Sequence, residues 1–145
     1  MKTAIFPGSF DPFTRGHKAL VEQALGLFDK VVIAIGENVN KRSLLSLEAR
    51  KKLIEELYAD DERVECITYS TLTGDAARKV GATAIIRGVR NTIDFEYERN
   101  ISDINRMLTG IDTILLISDP QYATISSSMV RELAHFGKDV SKYLP

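Results

Sequence analysis

Tryptophan is absent, cysteine and histidine are scarce, and no apolar run is long. The 145 residues hold no Trp, one Cys, two His and four Pro. A single cysteine, Cys66, can close no internal disulfide and build no cysteine metal cluster, which points to a reducing compartment. Cys66 and His135 have no metal-ligand partner at a useful spacing. Cys66 reads as packing, and His135 as a helix-end residue suited to the helix dipole. No protein metal site is expected, and no Ser-His-Asp or Cys-His grouping assembles. No stretch approaches the roughly 20 apolar residues of a membrane helix. The N-terminus runs into a short strand without the apolar region of a signal peptide, so a cytoplasmic location and no membrane partner are expected. Positive charge is not in excess either: 19 Lys and Arg stand against 20 Asp and Glu. Broad binding to nucleic acid is thereby excluded, whereas a small basic site for a phosphorylated molecule is not.

What is present is the balance of a globular chain, 44% hydrophobic and 27% charged. The length suits one domain, residues 1–145, with a real core. Strand and helix patterns alternate. Apolar strand runs are read near 2–6, 30–35, 64–68, 82–86 and 113–117. Helical spacing is read at 16–28, at 46–58 with Leu47, Leu53, Ile54, Leu57 and Tyr58 inward, at 73–80, at 92–108 and at 126–135. Alternation of this kind predicts an α/β domain with a doubly wound five-stranded parallel sheet and right-handed crossovers. Such sheets bind ligands beyond the carboxyl ends of their strands, where the strand order reverses. Polar segments at 8–17, 36–43, 87–90 and 118–128 each follow a strand and are expected to share one cleft.

The segment Gly8-Ser9-Phe10-Asp11-Pro12-Phe13-Thr14-Arg15-Gly16-His17 lies between the first strand and the first helix. A helix start carries unpartnered N–H groups and partial positive charge, so it receives anions. Gly8 and Gly16 permit backbone conformations or close approaches that a side chain would block. A cationic or hydrogen-bonding His17 there could neutralise charge on a phosphoryl group during transfer, and Ser9 could position a phosphate oxygen. The segment is neither a Walker loop nor a Gly-x-Gly-x-x-Gly fingerprint.

Arg87 and Arg90 flank Gly88 after a buried strand and offer bidentate phosphate contacts, or salt bridges to Asp94, Glu96 or Glu98. Tyr97 and Glu98 fit either a site or a core tyrosine beside a solvated glutamate. Lys41 is a candidate phosphate contact within the 36–45 loop. Ser126, Ser127 and Ser128 supply more hydroxyls than one helix cap needs, which favours an oxyanion site.

On these residues the chain resembles the nucleotidylyltransferase superfamily, whose mark is Thr/His-x-Gly-His, here Thr14 to His17, with Ile125 to Arg131 similar to its second signature. Within it the chain is closely similar to the bacterial phosphopantetheine adenylyltransferases. They share Pro7 to Pro12, Ile86-Arg87-Gly88-Val89-Arg90 and Asp94-Phe95-Glu96-Tyr97-Glu98. The resemblance implies transfer of an adenylyl group from ATP to 4′-phosphopantetheine, giving dephospho-coenzyme A and pyrophosphate. It also implies Mg²⁺ as the ATP counterion, a homohexamer, and coenzyme A as a further ligand. By position, His17 would stabilise the transition state. Ser9, Phe10, His17, Gly88, Val89, Arg90, Glu98, Tyr122, Ala123, Thr124, Ile125, Ser126, Ser127 and Ser128 would hold ATP. Ser9, Lys41, Thr73 and Arg87 would hold phosphopantetheine. The acceptor phosphate is already ionised, so no general base is required. The competing expectations are a nucleotidylyltransferase for nicotinamide mononucleotide or glycerol phosphate, a non-catalytic adenine-nucleotide sensor, and a structural oligomer subunit.

Overall fold

Five short apolar segments that need cover on both faces assemble as one parallel sheet. The computed structural model describes residues 1–38 and 42–145; Lys41, a candidate phosphate contact, lies outside the described residues. The chain runs β1 (Thr3–Gly8), α1 (Arg15–Leu25), β2 (Lys30–Gly36), α2 (Leu47–Leu57), β3 (Val64–Tyr69), α3 (Thr73–Lys79), β4 (Ala84–Val89), α4 (Thr92–Thr109), β5 (Asp112–Ile117) and α5 (Ser127–His135). Short 3₁₀ turns lie at Pro120–Tyr122 and Ser141–Tyr143. Strand order is β3-β2-β1-β4-β5, all parallel, which is the doubly wound five-stranded sheet expected.

The two-residue period of β1 divides the core. Ala4 and Phe6 face Leu20, Val21 and Ala24 of α1 and Ile54 of α2. Ile5 faces the other way, with Ala34 and Ile85, onto Ala76 and Ala77 of α3. Full burial of the Phe, Leu, Val and Ile side chains among them contributes about 1.5–3 kcal/mol each relative to exposure.

Several boundaries differ from the sequence reading. α1 stops at Leu25, because Gly26 takes the C-cap and Phe28 turns into the core. β4 runs on through Arg87, Gly88 and Val89, which pair with Leu115, Leu116 and Ile117 of β5 and so are strand rather than loop. Leu53 is exposed; α2 turns Arg50 and Ile54 inward instead. On α4 the buried residue is Glu98, whereas Tyr97, Ile104 and Leu108 face outward. Cys66 packs at the edge of the core, as expected.

Candidate active site

The cleft opens where the sheet comes apart. β1 pairs with β2 as far as Gly8 but with β4 only at Ala4 and Ile5. Pro7 has no N–H to give either neighbour, and its carbonyl receives the Arg87 guanidinium rather than a strand amide. This is the crevice between the first and fourth strands, the place where a doubly wound sheet receives its ligand. The cleft holds about 340 Å³.

The loop after β1 is pinned from outside. Arg50 donates to the Ser9 carbonyl at 2.8 Å, Arg131 to the Asp11 carbonyl at 2.8 Å, and Ser127 Oγ to the Pro12 carbonyl at 2.8 Å. The buried Asp11 carboxylate accepts the Leu44 and Leu45 amides, each at 2.8 Å. The Asp11–Pro12 peptide is cis, and Phe10 has φ +48°. A left-handed conformation costs a non-glycine residue about 1–2 kcal/mol, so neighbours must hold it. One of them is Gly8, where a Cβ would come within 3.0 Å of the Phe10 ring. Gly16 meets only ordinary contacts, so nothing in the protein requires glycine there. At Gly88 a Cβ would strike Leu20 Cδ1 at 2.4 Å, so β4 lies against the helix that carries His17.

Thr14 caps α1, and His17 completes a capping box. The Thr14 N–H donates to His17 Nδ1 at 2.9 Å, and the His17 N–H donates to Thr14 Oγ1 at 3.4 Å. Because Nδ1 is an acceptor, the proton is assigned to Nε2. The ring sits among Phe10, Phe13 and Phe6 at centroid distances of 5.0, 5.3 and 6.2 Å. His17 keeps some solvent contact and also lines the cleft. Burial of the ring, followed by the charges of Arg87 and Arg90, pushes its pKa down to about 3. Aromatic packing and two nearby cations act in the same direction. The fold's own groups thus favour the neutral imidazole, with Nε2–H as its donor.

The unfolded histidine titrates near 6.5 and the folded one near 3, so between those values the unfolded chain binds more protons. Above pH 6.5 His17 contributes no pH dependence; as pH falls below it, stability is lost. Urea midpoints from pH 7 to 5 should fall further in the wild type than in His17→Gln. Equal slopes would show that the imidazole protonates freely in the fold.

Both arginines read from the sequence are paired. Arg87 Nε and Nη2 grip the Glu98 carboxylate at 2.8 and 2.7 Å, and Nη1 takes the Pro7 carbonyl. Burial opposes the Arg87 cation, but the Glu98 hydrogen bonds and charge outweigh it, and its pKa is raised. Arg90 Nε meets Asp94 at 3.0 Å on the more open side. Tyr97 is therefore no core residue, and Glu98 no solvated glutamate. The serines are similarly engaged: Ser126 Oγ caps α5 through the Met129 N–H, and Ser128 Oγ accepts from Arg131 at 3.1 Å. The first N–H groups of α5 remain free of intrahelical partners, as at any helix start.

The structure brings Ser9, Phe10, His17, Arg87, Gly88, Arg90, Glu98, Tyr122, Ile125 and Ser126 to Ser128 onto one cleft wall. Val89, Ala123 and Thr124 do not line it, and neither does any described residue of 36–43. Thr73 lies in an adjoining cavity of about 150 Å³, which shares Pro7, Gly8, Arg87 and Glu98 with the cleft. Sequence reasoning missed Arg50, Asp11 and Arg131 as parts of the site. Arg131 had a signal, since it stands one helical turn after Ser127 and Ser128; Arg50 had none. Among the described residues no group of three His, Cys, Asp or Glu side chains converges. Asp94 and Glu98, the carboxylates on the cleft, each hold an arginine, so the protein's donors do not fit a resident divalent cation. No helix of the described residues is long and apolar enough to cross a membrane.

The cytidylyltransferase-like family matches residues 5–133. A phosphopantetheine adenylyltransferase of Porphyromonas gingivalis is 55% identical over 142 residues, covering 98% of this chain and 93% of its own. That of Phocaeicola vulgatus is 54% identical over 145 residues, covering 100% and 96%. Among solved structures, a bifunctional NMN adenylyltransferase/ADP ribose pyrophosphatase from Francisella tularensis gives a TM-score of 0.72 at 20% identity, covering 99% of this chain and 44% of that one, a likeness of fold alone. With similarity along its whole length, and with its loop, arginines and serines gathered on one crevice, the chain belongs to the phosphopantetheine adenylyltransferase family.

Proposed function

We propose that this protein catalyses the reversible transfer of the adenylyl group of ATP to 4′-phosphopantetheine, giving dephospho-coenzyme A and pyrophosphate in coenzyme A biosynthesis. The observation that carries this reading is His17 on the cleft at the head of α1, its Nδ1 taken by the Thr14 amide so that Nε2–H is left to donate, beside the paired Arg87 and Arg90. An oxygen of the acceptor phosphate attacks the α-phosphorus in line, a new P–O bond forms, and the bond to pyrophosphate breaks. No proton is removed and no covalent enzyme intermediate forms. The protein positions the two substrates and offers hydrogen bonds to the charge that develops. His17 donates to the transferring group. Ser9, Phe10, Gly88, Arg90, Glu98, Tyr122, Ile125, Ser126, Ser127 and Ser128 hold the nucleotide, and Val89, Ala123 and Thr124, off the cleft wall, carry the backbone between them. Ser9, Lys41, Thr73 and Arg87 hold the acceptor; the cavity beside Thr73 and Arg87 is an apt place for its arm. Mg²⁺ belongs to the substrate as Mg-ATP. A cytoplasmic location suits these substrates.

The test is pyrophosphate release with Mg-ATP and 4′-phosphopantetheine, beside nicotinamide mononucleotide with ATP and glycerol phosphate with CTP. Release with phosphopantetheine alone is expected. Release only with another acceptor would overturn the substrate assignment, and ATP binding without any release would make the protein a sensor.

The homohexamer belongs to the same proposal. Ile93, Tyr97, Ile104, Met107 and Leu108 form an exposed apolar stripe along α4, which a single chain leaves uncovered. Sedimentation should give a six-chain mass for the wild type and a smaller one for Ile104→Glu. A monomeric wild type would remove the proposal.

A further inference from the structure

Arg50 is 7% exposed, yet no carboxylate pairs with it among the described residues. Its Nε donates to the Ser46 carbonyl of its own helix at 3.3 Å, and its Nη1 reaches across to the Ser9 carbonyl at 2.8 Å. A buried guanidinium without a counter-ion is a poor way to fill space; an aliphatic side chain would pack there at no desolvation cost. Its placement makes sense by what it holds. The C=O and N–H of one peptide plane point in opposite directions. With the Ser9 carbonyl drawn back toward α2, the N–H of Phe10 is turned the other way, and both Ser9 and Phe10 line the cleft. Phe10 is the one non-glycine residue with positive φ among the described residues. Its ring meets His17 edge-on at 5.0 Å. A single side chain thus fixes a peptide plane, the left-handed residue after it, and through that residue's ring the setting of the imidazole.

We propose that Arg50 is a positioning residue, which holds the Ser9–Phe10 peptide so that the Phe10 N–H faces the nucleotide phosphates and His17 keeps its seat. Its uncompensated charge, one peptide behind the cleft, favours the anion in the same place. This rests on the adenylyl-transfer reading above, so the test includes a readout that needs no acceptor.

Arg50→Met keeps the volume and removes the donors and the charge. Its turnover should fall at least tenfold while KM for phosphopantetheine changes less than threefold. The Phe10 amide resonance, which moves when Mg-ATP is added to the wild type, should stay still in the variant. Arg50→Lys keeps the charge but loses the planar fork of donors, and should give intermediate turnover and an intermediate amide shift. Wild-type turnover with a wild-type Phe10 response in either variant overturns the proposal. So does a loss of activity that only matches the loss of folded protein by circular dichroism while the folded fraction responds normally. If Arg50→Met does not fold, Arg50→Lys decides by the same two readouts. If the wild type fails with phosphopantetheine, the acceptor assignment falls, and the Phe10 response to Mg-ATP still decides the role of Arg50.

Discussion

Replacing His17 with alanine should lower turnover by about 10²–10³, the range found when one preorganised donor to a developing charge is removed. The imidazole is held by three different means. The Thr14 amide occupies Nδ1, which leaves the proton on Nε2. Phe6, Phe10 and Phe13 fix the plane of the ring. Burial and the two arginines keep it neutral, so the donor has the same form from mildly acid to basic pH. A donor so constrained pays no reorganisation when the phosphorus becomes five-coordinate. Turnover should therefore show no histidine-like inflection near 6.5. An inflection near 6 belongs to the second ionisation of a phosphate ester, hence to the acceptor. The alanine variant should fold, although the Thr14 amide loses its partner and the aromatic cage loses its centre. Gln at this position keeps an N–H donor but not the anchored geometry, and should recover only part of the rate. Full turnover in His17→Ala would remove the imidazole from the reaction.

The second large effect is one of stability. Arg87→Ala should cost about 3–5 kcal/mol, because it leaves the 5%-exposed Glu98 carboxylate buried without its cation. It also frees the Pro7 carbonyl at the point where β1 and β4 separate. Set against a typical domain stability of about 5–15 kcal/mol, that is a large share. Chemical denaturation at one protein concentration would measure it. The double variant Arg87→Met, Glu98→Leu removes both charges together and should recover most of the loss, since a buried pair contributes little over apolar packing. A single variant as stable as the wild type would mean that Glu98 reaches water or another cation. This bears on the acceptor assignment too. Three Arg87 nitrogens already serve the protein, so any contact with phosphopantetheine must use the guanidinium's remaining hydrogens. Loss of activity in Arg87→Ala is to be read only after its folded fraction is known.

Element types and strand number were legible because apolar runs and helical spacing are local signals, and because alternation leaves few ways to wind a parallel sheet. The ends were less legible, for reasons outside each segment. Arg87 to Val89 look like a loop by composition, with two arginines and a glycine, yet β5 runs alongside and keeps them in the sheet. The stripe of Tyr97, Ile104 and Leu108 has core spacing, yet the phase of α4 is set by Glu98 reaching Arg87, an ionic pairing that periodicity does not register. At the site, residues next to one another in sequence were found: Gly8 to His17, and the serines. Contacts that join distant parts were not. Arg50 lies 41 positions from Ser9, and Arg131 lies 120 from Asp11. Arg50 is an ordinary helix arginine until the fold brings it to a carbonyl, and the spacing of Arg131 from the serines does not show that it reaches Asp11. The serines stand on the cleft, and their hydroxyls also serve a cap, a loop carbonyl and an arginine, partners that their run in the sequence does not show.

The parted sheet has a mechanical consequence. β3, β2 and β1 form one leaf, and β4 with β5 forms another; within each leaf neighbouring strands match over six residue pairs, whereas the leaves are joined by two. Those two lie at the end remote from the cleft, like the spine of a book. A change of angle between the leaves need break no ladder bond, and across the open margin the Arg87 contact with Pro7 works as a clasp. Any ligand that touches both the loop after β1 and the end of β4 grips both covers far from the spine, where its leverage is greatest. Mg-ATP should accordingly raise the unfolding temperature, with amides on the two facing margins slowing most in hydrogen exchange.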